Sequence, residues 1–157
     1  MEQIVQLNSK AKLSEHFTLG EMTVSNHKEV YNIPSHEAIA NLANLSKWLE
    51  VLRKRYNEKY GVGEEPIRIN SGYRSPQLNK KIGGVATSNH LTGCAVDIRV
   101  LGMEQLIRYA TILMDYADES RQDFDELLIE KNRYGAIWLH FAVRPFSNRR
   151  KVAFINA

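Results

Sequence analysis

The sequence predicts an α+β domain with a mostly antiparallel sheet and flanking helices. Three observations carry that expectation. Two amphipathic helical segments occupy the beginning and middle of the chain, and its last third alternates apolar and polar residues in short runs joined by turn formers. The length, 157 residues, suits one hydrophobic core, and no repeat, low-complexity tract or Pro/Ser-rich linker divides it, so residues 1–157 read as a single domain.

Residues 1–34 are rich in turn formers, including the polar cluster Ser25-Asn26-His27-Lys28, and read as irregular. The first helix follows. Ser35 suits its N-cap, Glu37 suits the positive end of its dipole, and Ile39, Leu42, Leu45, Leu49, Leu52 and Tyr56 recur at three- and four-residue steps along one face. Gly61 and Gly63 end it. Pro66 to Asn70 reads as a short strand and Ser71 to Ser75 as the loop leaving it. Pro76 to Lys81 then forms a short helix, with proline at the first position, where its missing N–H costs nothing.

Gly83-Gly84 reads as a tight turn, because a phosphate loop would need a strand directly before it and Lys-Ser/Thr after it. Ala95 to Val100 sets Val96, Ile98 and Val100 against Ala95, Asp97 and Arg99, a strand with one face on the core and Asp97 aimed away from it. Met103 to Asp115 is a second amphipathic helix, with Leu106, Ile107, Ala110, Leu113 and Met114 on its buried side. Asp125 to Glu130 and Ala136 to Val143 are strands joined by a turn over 131–135. On the second, Trp138, His140 and Ala142 face away from Ile137, Leu139, Phe141 and Val143. Lys151 to Ile155 adds a last strand to the same sheet.

Composition narrows the function. The net charge is only +3, and the basic clusters Arg53-Lys54-Arg55 and Arg149-Arg150-Lys151 lack a dense stripe with interleaved aromatics, so they read as solvated faces rather than a nucleic-acid footprint. No apolar run approaches the ~20 residues of a membrane span. Cys94 is the single cysteine and reads as a buried thiol, which rules out an internal disulfide or a thiolate metal cage. The N-terminus lacks the charged start and long apolar stretch of a secretory signal, so the expectation is synthesis in the cytoplasm.

The chemistry lies in Ser88-Asn-His90-Leu-Thr-Gly-Cys-Ala-Val-Asp97 and Trp138-Leu-His140-Phe. Two imidazoles and a carboxylate are a common ligand set for catalytic zinc, whose fourth position stays open. His16, His27 and His36 have no partner at ligand spacing and read as surface or capping residues. A hydrolytic zinc site also needs a general base, and the sequence lacks a His-Glu-x-x-His helix to supply one. Glu126 and Glu130 share one face of the strand before His140. Either could be brought beside the metal, and strand parity does not choose between them.

Ser71-Gly-Tyr-Arg-Ser75, Leu78-Asn79, Gly83-Gly84, Ser88-x-His90-x-x-Gly93-x-Ala95-x-Asp97, Phe124-Asp125-x-Leu127 and Trp138-x-His140 together resemble a family of zinc peptidases. It includes D-Ala-D-Ala carboxypeptidases and phage L-alanyl-D-glutamate endopeptidases and shares a fold with hedgehog domains. His16-Phe17-Thr18-Leu19-x-Glu21-Met22, with Ile33-Pro34, is similar to one branch of it, so the resemblance runs from about residue 14 to about 143.

The resemblance implies one Zn2+ per chain bound by His90, Asp97 and His140. It also implies that Arg74 grips a substrate carboxylate or the developing oxyanion and that Ser88 lines the same pocket. Many relatives carry an acid three residues before the last histidine, where this chain has Ile137. In the branch it resembles, the acid ends the preceding strand, which matches Glu130. The expected function is hydrolysis of peptidoglycan stem peptides at the cell wall, by a monomer that is a phage lysin or a bacterial wall enzyme. The alternative is a zinc-stabilised module that binds wall peptide without cleaving it.

Overall fold

A computed structural model describes residues 7–61 and 63–157. Residues 1–6, which hold much of the stretch read above for a secretory signal and part of the irregular N-terminal region, lie outside the described residues. From residue 7 to 34 the chain is irregular as expected, apart from one isolated bridge between Lys12 and Thr18 and a 3-10 turn at Glu21–Thr23.

Helix α1 spans His36–Tyr60 and begins and ends where the sequence signals place it. The Ser35 hydroxyl accepts from the Ala38 N–H, and Gly61 adopts a left-handed conformation whose N–H closes on the Asn57 carbonyl. Strand β1 is only Ile69–Ser71, shorter and later than the expected Pro66 start. Helix α2 covers Pro76–Lys81, β2 covers Ala95–Arg99, and α3 runs Met103–Ser120, five residues past the expected end. Strands β3 (Glu126–Lys131), β4 (Ile137–Ala142) and β5 (Lys151–Asn156) complete one sheet in the order β1-β2-β4-β3-β5.

All pairings are antiparallel except β3 with β5, which are parallel. The reason is geometric. β4 ends where β3 begins, and residues 143–150 carry the chain across that end to the far side of β3, so β5 must run with β3.

Register divides the sheet into two faces. Val96, Phe141 and Leu127 align in one cross-strand row and Ile98, Leu139 and Ile129 in the next, and these rows meet α1 and α3 in the core. Trp48 sits at the centre of that contact, its ring 5.5 Å from Phe141 and 4.9 Å from Tyr116. Fully burying each such leucine or aromatic contributes roughly 1.5–3 kcal/mol, so this layer anchors the sheet. On α3 the buried side is carried by Leu106, Tyr109, Ala110, Ile112, Leu113 and Ala117, while Ile107, expected inside, is exposed. Its position turns it off the arc that meets α1.

The opposite face carries the polar rows Ala95/Ala142/Glu126, Asp97/His140/Leu128 and Arg99/Trp138/Glu130. The side of the sheet that the helices leave free is therefore the one holding the titratable side chains. Among the described residues, no helix is long and apolar enough to cross a membrane.

Candidate metal centre

Three elements converge on one point. β2 presents Asp97, β4 presents His140 directly opposite it, and a 3-10 turn at Asn89–Thr92 presents His90 from above the sheet. That turn is set locally: the Ser88 hydroxyl accepts from the His90 N–H, and Gly93 closes it at φ 74°. A side chain at Gly93 would be strained there and would collide with the Ala38 carbonyl.

His90, Asp97 and His140 are buried, and one ligand atom from each lies within 4.8 Å of the others. His90 Nε2 stands 3.3 Å and His140 Nδ1 2.9 Å from the same Asp97 oxygen, Oδ1. Two imidazole nitrogens and a carboxylate oxygen converging from buried side chains fit the three protein ligands of a zinc ion whose fourth position is left to water or substrate.

The other ring nitrogens point outward to fixed partners. His90 Nδ1 lies 2.6 Å from the Gly72 carbonyl, and His140 Nε2 lies 3.1 Å from Glu126 Oε1. Gly72 is held in turn, because its backbone runs so close to the Met22 carbonyl that an added Cβ would collide with it, and the Tyr73 N–H donates to that carbonyl at 2.7 Å. Arg74 reaches the remaining Asp97 oxygen, Oδ2, at 3.3 Å and also donates to Ser71 Oγ at 3.2 Å.

The two glutamates separate here. Both lie on the site face, each two residues from Leu128, the cross-strand partner of His140, so they approach the imidazole diagonally from opposite sides. Glu130 Oε1 is 3.7 Å from Nδ1, on the side where the ligand atoms meet. Glu126 takes the far nitrogen. Ile137 pairs with Lys131 and faces away from His140, since an odd offset on a strand reverses the face.

Charge follows this layout. Burial disfavours the Asp97 carboxylate, but His90 and His140 outweigh it and hold its pKa far below the usual range. Burial likewise opposes a charged His140, yet hydrogen bonds to Asp97 and Glu126 raise its pKa to about 10. Burial and the nearby Asp97 raise the Glu130 carboxyl, and burial lowers the Arg74 guanidinium against the pull of Asp97.

His16, His27 and His36 stay apart from this cluster, as expected. His16 nevertheless has an acidic partner that linear spacing did not reveal, Glu50 Oε1 at 2.6 Å. Cys94 is buried. The basic clusters are more engaged than a solvated face implies. Arg53 pairs with Glu64, Arg55 with Glu119, and Arg150 with Asp118 and Asp123, while Arg149 clamps the fully buried Asp125 through both oxygens at 3.0 and 2.8 Å.

From the sequence, Asn89, Asp125, Arg144 and Arg149 carry no role at the site, although Asp125 belongs to the motif Phe124-Asp125-x-Leu127 and Arg149 to a basic cluster. Asn89 was visible only as the neighbour of His90, and nothing in the linear order links Asp125 to the two arginines. Burial opposes ionisation of Asp125, but hydrogen bonds from Arg149 and Asn89 depress its pKa to about 2. A depressed carboxylate stabilises the fold above its unfolded value of ~3.9, and that stability is lost as pH falls through the folded value. Asp125→Asn is therefore expected to cost on the order of 2 kcal/mol at pH 7 and much less near pH 2, measured by urea unfolding. An equal cost at both pH values would show that the charge is not what matters.

Comparison with known proteins adds two findings. A family profile described as Peptidase M15 matches residues 15–120, well over half of the chain, and so includes Arg74, Ser88, His90 and Asp97 but ends before the two glutamates and His140. A zinc D-Ala-D-Ala carboxypeptidase of Streptomyces albus G is 38% identical over 40 residues, a match spanning 26% of this chain and 16% of that protein.

Proposed function

The chain belongs to the peptidase M15 family, and we propose that it is a zinc metallopeptidase that hydrolyses peptide bonds in peptidoglycan stem peptides. The observation that carries this reading is the meeting of His90, Asp97 and His140 with Glu130 on the same side of the His140 ring. Zinc held there supplies a Lewis acid that acidifies water and polarises a scissile carbonyl.

The chain's own groups do the rest. His90, Asp97 and His140 hold the ion. Glu130, inside a partly dry pocket beside the ligand atoms, takes the proton from the attacking water and returns it to the leaving amine. Arg74 holds Asp97 by one amino group, and its planar fork has further donors for a substrate carboxylate or the developing oxyanion. Ser88, half-buried beside His90 and holding its N–H, is assigned to the substrate side of the same site. We assign to Glu130, on the neighbouring strand, the acid that many relatives carry at the position of Ile137, and its place 3.7 Å from His140 Nδ1 favours catalysis over a module that only binds wall peptide.

Substrates of the D-Ala-D-Ala and L-Ala-D-Glu types both place a carboxylate near the scissile bond, which suits Arg74. The test is mass spectrometry of purified muropeptides after incubation with the zinc-loaded protein. Loss of a terminal alanine indicates carboxypeptidase action, and separation of L-alanine from D-glutamate indicates endopeptidase action. Intact muropeptides, or faster cleavage of all-L peptides at equal concentration, would overturn the wall-peptide assignment.

A further inference from the structure

We propose that Glu126 is a positioning residue of the metal centre: together with Asn89 it fixes the tautomer and orientation of His140 and so sets the affinity for zinc. The inference rests on the zinc site proposed above, and it assigns Glu126 no part in proton transfer to or from substrate.

His140 has two ring nitrogens with different surroundings. Nδ1 faces Asp97 Oδ1, the oxygen that His90 Nε2 also approaches, so Nδ1 is the nitrogen that must offer a lone pair to the metal. A neutral imidazole carries one N–H, which must then sit on Nε2. Glu126 Oε1, 3.1 Å from Nε2, is the acceptor that stabilises this tautomer over the alternative with the proton on the metal side. Its negative charge also makes the ring a stronger donor to the metal.

Glu126 is itself aimed. Asn89 Nδ2 donates to Glu126 Oε1 at 2.7 Å and to Asp125 Oδ2 at 2.8 Å, while Asn89 Oδ1 accepts from Arg144 Nε at 2.9 Å. With these three contacts the Asn89 amide has both ends engaged, which fixes which way it points. Because Asn89 directly precedes His90, one short turn delivers a metal ligand and also holds the partner of the opposite ligand. His90 is held from behind by a different device, the Gly72 carbonyl. One histidine is thus positioned by backbone and the other by a charged side chain, so the second can be altered by mutation without touching a ligand.

The experiment measures the zinc dissociation constant by competition with a fluorescent chelator, in the absence of substrate, on wild type, Glu126→Ala and Glu126→Gln. Glu126→Ala is expected to weaken zinc binding about 10- to 100-fold. Glu126→Gln keeps an acceptor for the Nε2 proton without the charge and should lose less. In zinc-loaded protein, 15N-resolved NMR should show a protected His140 Nε2–H in wild type that exchanges rapidly in Glu126→Ala. Circular dichroism confirms folding of each variant, and Glu126→Gln preserves volume should the alanine variant fold poorly.

Unchanged zinc affinity in both variants, or a proton found on Nδ1 of zinc-loaded wild type, would overturn the proposal. These readouts are independent of turnover. A protein that behaves as expected here yet cleaves no muropeptide would remove the peptidase reading alone, and an active enzyme with unaltered affinity in the variants would remove this one alone.

Discussion

Asp97→Ala should abolish zinc binding and with it all activity above background. The carboxylate sits at the hub of the centre: Oδ1 faces both histidines, and Oδ2 accepts from Arg74 at 3.3 Å. Removing it leaves two protein ligands, too few for a tight site, and strands the Arg74 side chain, only 14% exposed, without its acidic partner. Breaking a buried pair from one side typically costs about 3–5 kcal/mol, so the metal-free variant should also unfold at a lower temperature. Elemental analysis after dialysis checks the first expectation and calorimetry the second. Full zinc content in Asp97→Ala would remove the ligand assignment. His90→Ala should lose zinc similarly but leave the Arg74–Asp97 pair in place, and so should destabilise the metal-free protein less.

Glu130→Gln should show the opposite profile. The substitution keeps size and shape but removes the proton acceptor, so zinc content should match wild type while turnover falls by about a hundredfold or more, the usual scale for a general base. Glu126→Gln separates the two carboxylates, since its defect should appear in zinc affinity and diminish as zinc is added in excess. That difference follows from one imidazole ring. Glu130 lies 3.7 Å from the nitrogen facing the other ligands, and Glu126 lies 3.1 Å from the nitrogen facing away. If excess zinc restored Glu130→Gln and failed to restore Glu126→Gln, the two roles would be exchanged.

Much of the fold was legible from local signals. Ser35 and Gly61 bracket α1 because a side-chain cap and a left-handed glycine act within a single turn of helix. Alternation in β2 and β4 put Asp97 and His140 on the face opposite the apolar rows, and the register then set them directly opposite each other. The failures came where local pattern gives way to packing. Ile107 continues the apolar series of α3 but ends up exposed, because the helix turns the arc carrying Leu106, Tyr109, Ile112 and Leu113 onto the core and position 107 falls outside it.

The identity of the candidate ligands, His90, Asp97 and His140, was readable in one dimension, since ligand chemistry restricts residue type and strand parity restricts direction. So was the narrowing of the candidate base to Glu126 or Glu130. Parity stops there, because both residues obey it equally. The separation of the two glutamates depends on which side of the His140 ring each one reaches, and that is a diagonal relation between β3 and β4 which no single strand encodes. The same holds for Asn89, Asp125 and Arg149. They are 24 to 36 residues apart in the pairs that bond, and only the return of the chain from β4 across the end of β3 brings the arginine to the aspartate behind the metal centre.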